Sequence, residues 1–202
     1  MITIFTEGEW DTPFVEQLLK RILLVDKLEN IRIIDTKGYT TLHLNQPIFQ
    51  ETTDAGGTNL VIFDADSVEN NGGYATRYDY LMAKKDELGL QFELFLFPNN
   101  HDDGMFETLL EKVAVQHHKP IIDCFESYLD CVTQKGILGG YTYTIPAQKA
   151  KIYAYVESVL TPAEFKDARS KQTWAYANNN VWDFDSNELI PLKEFLGNHI
   201  AN

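Results

Sequence analysis

No run of about 18 consecutive apolar residues occurs in the chain, so no membrane-spanning helix is expected. The opening residues lack the basic-then-apolar layout of a secretory signal, which makes a cytoplasmic location the expectation. Cysteine is scarce, with only Cys124 and Cys131. Both lie in a segment that reads as helix, on one face and roughly 10 Å apart along its axis. That is too far for a disulfide, whose Cα atoms sit within about 7 Å. Two buried thiols in a reducing compartment are expected instead. Basic residues are also few, 17 against 30 acidic, for a formal charge of -13. Such a charge repels a polyanion unless cations or a local basic patch intervene, which excludes broad coating of nucleic acid. No internal repeat or low-complexity tract is present.

With 202 residues and 44% hydrophobic composition, the chain is long enough for one domain with a sizeable core. Ile2-Thr3-Ile4-Phe5-Thr6 alternates like a strand, and Thr12-Pro13 predicts a helix start, with Thr12 as N-cap and proline at the first helical position. Phe14, Val15, Leu18, Leu19, Ile22 and Leu23 then recur at helical spacing. Ile31 to Asp35 reads as a second strand. Leu60-Val61-Ile62-Phe63 is a continuous apolar run of the kind found in a central strand covered on both faces. A helix with Tyr78, Leu81, Met82 and Leu88 closes at Gly89, and Phe92 to Pro98 makes a fourth strand. Helices follow at 105–115, 120–133 and 148–160, and a last segment ends near Leu196; residues 40–57 give no clear pattern. Strands alternating with helices imply a parallel sheet with right-handed crossovers.

In open parallel sheets, ligands gather outside the carboxyl ends of the strands. Glu7 follows the first strand and Asp64 ends the third, so both acids are expected at that crevice. Asp64 and Asp66 leave their strand on the same side, and their carboxylates suit a hard cation such as Mg²⁺, with Glu7 as a third oxygen ligand. Against this stands the ordinary use of such aspartates in turns and helix caps.

The ordered pair of motifs, Glu7-Gly8-Glu9-Trp10-Asp11 and then Asp64-Ala65-Asp66, resembles the TOPRIM fold of topoisomerases, DnaG-type primases and OLD-family nucleases. There a glutamate ends the first strand within Glu-Gly-x-x-Asp, and an Asp-x-Asp ends a later one. Leu96-Phe97-Pro98-Asn99-Asn100, Gly104 to Leu110, Trp182-Asp183-Phe184 and Pro191-Leu192 are similar to a bacterial family of uncharacterised proteins with a TOPRIM-like core. The resemblance implies a Rossmannoid three-layer α/β sandwich around a mostly parallel four-stranded sheet. It places the core at residues 1–138, with residues 139–202 as an extension packed on the same domain. It further implies Mg²⁺ or Mn²⁺ at Glu7, Asp64 and Asp66, acting on nucleic acid or a nucleotide through the bound metal. Asp11 and Glu107 are additional ligands or supports on that reading, or simply dipole-favourable helix starts. Lys149 and Lys151 are candidates for a phosphate-facing cation, since OLD-like nucleases use a late lysine; a solvated helix face is the plainer reading.

Two other functions fit the same residues. Val61 to Asp66 imitates the Asp-x-Asp of a nucleotide-sugar transferase, which leaves Glu7-Gly8 unexplained. A non-catalytic binding or regulatory module on a TOPRIM-like scaffold would account for the surplus acidity. Asp183 to Glu194 imitates an EF-hand loop but carries Glu188 where the turn needs glycine. His101-Asp102-Asp103 falls near the crevice, and His117-His118 is expected at a helix end, beside the closing carbonyls. Phe92, Phe95 and Phe97 have strand spacing and read as core, whereas Trp10, close to Glu7, is a candidate for base stacking.

Overall fold

The protein is described by a computed structural model for residues 1–24, 28–138 and 141–200, with the side chains of 137 and 138 left aside. Its central sheet has four strands: β1 (Ile2–Thr6), β2 (Ile31–Asp35), β3 (Thr58–Asp64) and β4 (Glu93–Phe97). All pairings are parallel, in the order β2-β1-β3-β4. The α/β class and the parallel four-stranded sheet expected from the sequence are therefore present. Eight α-helices accompany the sheet among the described residues: α1 (Asp11–Leu23), α2 (Gln46–Asp54), α3 (Tyr74–Leu88), α4 (Phe106–Val113), α5 (Lys119–Lys135), α6 (Gln148–Val159), α7 (Pro162–Ser170) and α8 (Ile190–Ile200). The chain divides into two compact units, residues 1–109 with 184–202, and residues 110–183.

The first unit holds the sheet, and alternation along the strands gives it two apolar faces. Phe5, Val61, Phe63 and Leu96 pack with Leu42, Phe49, Leu81, Leu90 and Phe92 on one side. On the other side Phe14 of α1 meets Phe106 at 4.9 Å and Phe184 at 5.5 Å between ring centres, and Phe95 meets Phe195 of α8 at 5.4 Å. Leu60 to Phe63 are fully buried, as a strand covered on both faces requires.

Several boundaries differ from expectation for local reasons. Helix α1 begins at Asp11, not after Thr12. Thr12 is inside the helix, and its hydroxyl pairs with that of Thr6 at 2.6 Å instead of capping. Residues 40–57 are ordered by tertiary packing: a 3-10 stretch, Tyr39–Asn45, runs into α2, and the Phe49 ring stacks on Phe5 at 3.7 Å. Cys124 and Cys131 are exposed rather than buried. Both belong to α5, of which only Ile122 is buried among the described residues.

The second unit is built on aromatics. Tyr155 of α6 donates its hydroxyl proton to the Val181 carbonyl at 2.6 Å and packs on Trp182 at 5.3 Å. The Trp182 indole N–H in turn donates to the Trp174 carbonyl. Burial pushes the Tyr155 phenol up to about 12.

Candidate metal centre

Strand order decides where a crevice can form. From β1 the chain moves outward to β2, then returns across the sheet to β3 and moves outward again to β4, so the order reverses between β1 and β3. Ligands of open α/β sheets lie at such a switch point, outside the carboxyl ends of the strands. Glu7 follows β1 and Asp64 closes β3, and these two strands are direct neighbours, with Thr6 opposite Ile62.

Backbone groups orient both acids. The Glu7 carboxylate accepts the Asp64 N–H at 3.0 Å, and the Tyr39 amide donates to it as well. The Asp64 carboxylate accepts the Phe106 N–H at 2.7 Å, at the start of α4. The capping role weighed for Asp64 is thus real, but it serves a helix far along the chain. Asp11 is buried at the first position of α1, and its carboxylate accepts the Gly8 N–H at 3.0 Å. The Glu-Gly-x-x-Asp segment is therefore a closed turn that leads β1 into α1. Glu107 follows Phe106 in the first turn of α4.

Acids dominate the electrostatics. Asp64, which keeps part of its surface open to solvent, has its carboxyl held well above the usual range, first by the protein packed around it and then by Asp11, Glu7 and Glu107. Glu7 is raised as well, chiefly by burial and further by Asp66, against the pull of its backbone donors and of Arg77. Four carboxylates, those of Glu7, Asp11, Asp64 and Glu107, thus share one region of negative potential. Its donor chemistry fits a hard divalent cation, which takes oxygen ligands. Among the described residues, no three His, Cys, Asp or Glu side chains approach closely enough to hold an ion between them.

Along residues 2–200 the chain matches the family model described as a protein of unknown function, DUF3226. It belongs to that family. No curated protein and no solved structure matches the chain.

In this DUF3226 protein the three acids singled out by sequence are not equivalent. Glu7 and Asp64 come together, whereas the Asp66 carboxylate forms an ion pair with Arg77. Arg77 and Tyr39 are the site residues that sequence reasoning missed. A usable signal existed for the arginine: it is one helical turn before buried Leu81, on the face of α3 that packs inward.

The remaining candidates have other employment. Lys151 is buried between Glu111, at 3.0 Å, and Glu126, so it is not a solvated helix face. Lys149 has its ammonium 5.7 Å from the Trp174 ring centre. His101 is exposed and bonds Asp102 at 2.8 Å, while Asp103 accepts the Tyr74 N–H at 2.6 Å and so serves the start of α3. His117 and His118 lie in a 3-10 turn before α5 and not at a closing helix end. Burial, with His117 second, lowers the His118 pKa. Residues 187–200 are helical, a 3-10 turn followed by α8, where an EF-hand would need an open ligand loop. Phe92, Phe95 and Phe97 are core, as expected, but Trp10 is buried as well and offers no stacking face.

Proposed function

We propose that this DUF3226 protein is TOPRIM-like and carries out divalent-metal-dependent chemistry on phosphodiesters or nucleotides, with Mg²⁺ or Mn²⁺ held by Glu7 and Asp64. The observation that carries this reading is the environment of Asp64: a carboxylate on a half-buried residue, set among three others at the switch point of a parallel sheet. A concentration of like charge is unfavourable by itself and becomes favourable when a cation enters. Two carboxylates are a sufficient protein contribution, since Mg²⁺ in proteins is commonly held by one or two carboxylates together with waters and substrate phosphates.

On this reading the residues divide the work. The Phe106 amide fixes one oxygen of Asp64, and the other would serve the cation. Glu7, held by two backbone donors and shifted toward neutral pH, supplies a second oxygen or exchanges a proton with the reacting group. Asp11 and Glu107 add negative potential that favours cation entry. The bound cation would neutralise charge developing on a phosphate oxygen.

The nucleotide-sugar transferase reading needs both aspartates of Asp64-Ala65-Asp66 on one ion, and the engagement of Asp66 by Arg77 weighs against it. Calorimetric titration of Mg²⁺ and Mn²⁺ into wild type and Asp64→Asn tests the proposal. Saturable heat in the wild type that disappears in the variant is expected, and no heat in either protein would sink it. Nicking of DNA and hydrolysis of sugar nucleotides, assayed in parallel, separate the two enzyme classes from each other and from a non-catalytic module.

A further inference from the structure

Arg77 is 4% exposed, an unusual position for a guanidinium. Two contacts hold its guanidinium. It forms an ion pair with the Asp66 carboxylate. It also lies over the Tyr39 ring, 3.2 Å from the ring centre. Its Nε is buried without a hydrogen-bond partner among the described residues, so compensation of the charge falls on Asp66, with Glu7 as the other carboxylate that feels it.

Asp66 is held equally firmly by its loop. Its backbone is left-handed, with φ of 61°, and its carbonyl accepts the Gly104 N–H at 2.9 Å. Gly72 lies so close that a Cβ there would come within 2.3 Å of the Asp66 Cβ. The loop thus fixes the Asp66 backbone, and turning its carboxylate toward another partner would break the ion pair with Arg77. Doing so would also strand a buried guanidinium, which is strongly unfavourable.

Resting on the reading of Glu7 and Asp64 as cation ligands, we propose that Arg77 is a positioning residue. It is the resident counter-ion of Asp66 and withdraws that carboxylate, so that the crevice takes one divalent cation instead of two. The Asp-x-Asp then has divided roles: Asp64 faces the cation, and Asp66 anchors Arg77 against Tyr39 at the edge of Glu7.

Counting bound Mn²⁺ by calorimetry and by the loss of the free-ion spectroscopic signal tests this without any assay of activity. Wild type is expected to bind one ion, Asp64→Asn none. Because Asp66→Asn alone leaves Arg77 unpaired, the double variant Asp66→Asn with Arg77→Gln replaces the ion pair by a neutral pair of similar shape. It is expected to bind one ion with affinity within a few-fold of wild type. Arg77→Gln alone frees Asp66 and is expected to admit a second ion, whereas Arg77→Lys keeps a single one. Two ions on the wild type overturn the inference, as does loss of binding in the double variant while it remains folded by circular dichroism. Absence of Mn²⁺ binding in the wild type would instead remove the cation reading itself, and this inference with it.

Discussion

The backbone N–H of Asp64 donates to the carboxylate of Glu7 at 3.0 Å, so the ends of β3 and β1 are joined by the acid that ends one and the amide that begins the turn of the other. The bond fixes Glu7 beside a second carboxylate despite their mutual repulsion. Consequences for stability and for cation affinity can be read from that conflict.

Asp64→Asn is expected to stabilise the metal-free protein at neutral pH. Burial first, then Asp11, Glu7 and Glu107, raise the Asp64 carboxyl in the folded state. Its unfolded value is about 3.9. Its contribution to stability is therefore complete below that value and is lost as pH rises through the folded one. Asparagine carries no charge and retains an oxygen for the Phe106 N–H. In chelator at pH 7 the variant should gain on the order of 1 kcal/mol, seen as a higher Tm. Adding Mg²⁺ to a hundred times its Kd should stabilise only the wild type, by about 2.7 kcal/mol, and narrow or reverse the order. A variant that melts lower than wild type in chelator would contradict the account of Asp64.

Cation affinity should depend on pH in a range displaced upward from ordinary carboxylates. Metal binding needs the ligands deprotonated. Glu7 and Asp64 are both raised, so protons compete with the cation at pH values above the roughly 4.3 of an unperturbed glutamate. Titrating Mn²⁺ at a series of pH values should show affinity rising toward neutrality. Affinity already constant from pH 5 upward would mean that neither acid takes part.

Those two acids were legible because they stand next to the plainest signals in the chain. Phe63-Asp64 closes a run of the kind found in a strand covered on both faces, and Thr6-Glu7 closes an alternating one. Asp66 is expected beside Glu7 and Asp64 on the same grounds; its pairing with Arg77 is written only in the place of that arginine one turn before Leu81, a faint signal when the inward position carries a charge. Residues 40–57 give no period because a 3-10 stretch runs directly into α2, and their order comes from Leu42 and Phe49 packing on the sheet. Helix α7 was missed although Thr161 and Glu164 form a reciprocal capping box around Pro162, a signal that was there to be read.

Lys151 is expected to matter for folding and not for the cation. Burial works to lower its pKa, but the hydrogen bonds that its ammonium donates to Glu126 and Glu111 outweigh this and leave it raised. Its stabilising contribution is thus complete below the unfolded value of about 10.4 and is lost only as pH climbs through the folded one. Lys151→Ala should cost about 2 kcal/mol in denaturant unfolding, discounted from a fully buried pair because Glu126 is half exposed. Lys151→Met, which restores the packing of the stem, should cost less. Mn²⁺ affinity of either folded variant should match wild type, and a large loss would return Lys151 to the phosphate-facing role.

The exposure of Cys124 and Cys131 predicts that both thiols react in the folded protein. Titration with a disulfide reagent under native conditions should reach two equivalents without denaturant. Reaction that appears only after unfolding would mean that this face of α5 is covered.

Gly72 offers a way to disturb Asp66 without touching a charge. Its Cα is close enough that an added methyl would meet the Asp66 Cβ at 2.3 Å and the Ala65 carbonyl oxygen at 2.9 Å, neither of them the end of a flexible side chain. The neighbouring Gly73 N–H donates to that same Ala65 carbonyl at 2.9 Å, so the strand end and the loop cannot separate without losing a bond. Gly72→Ala should therefore destabilise by about 2 kcal/mol. Because the displaced group is Asp66, Arg77 should lose part of its compensation and become more accessible to arginine-selective modification than in the wild type. Unchanged stability together with unchanged Arg77 reactivity would show that the loop is loose, and that the Asp66–Arg77 pair is held by its own attraction alone.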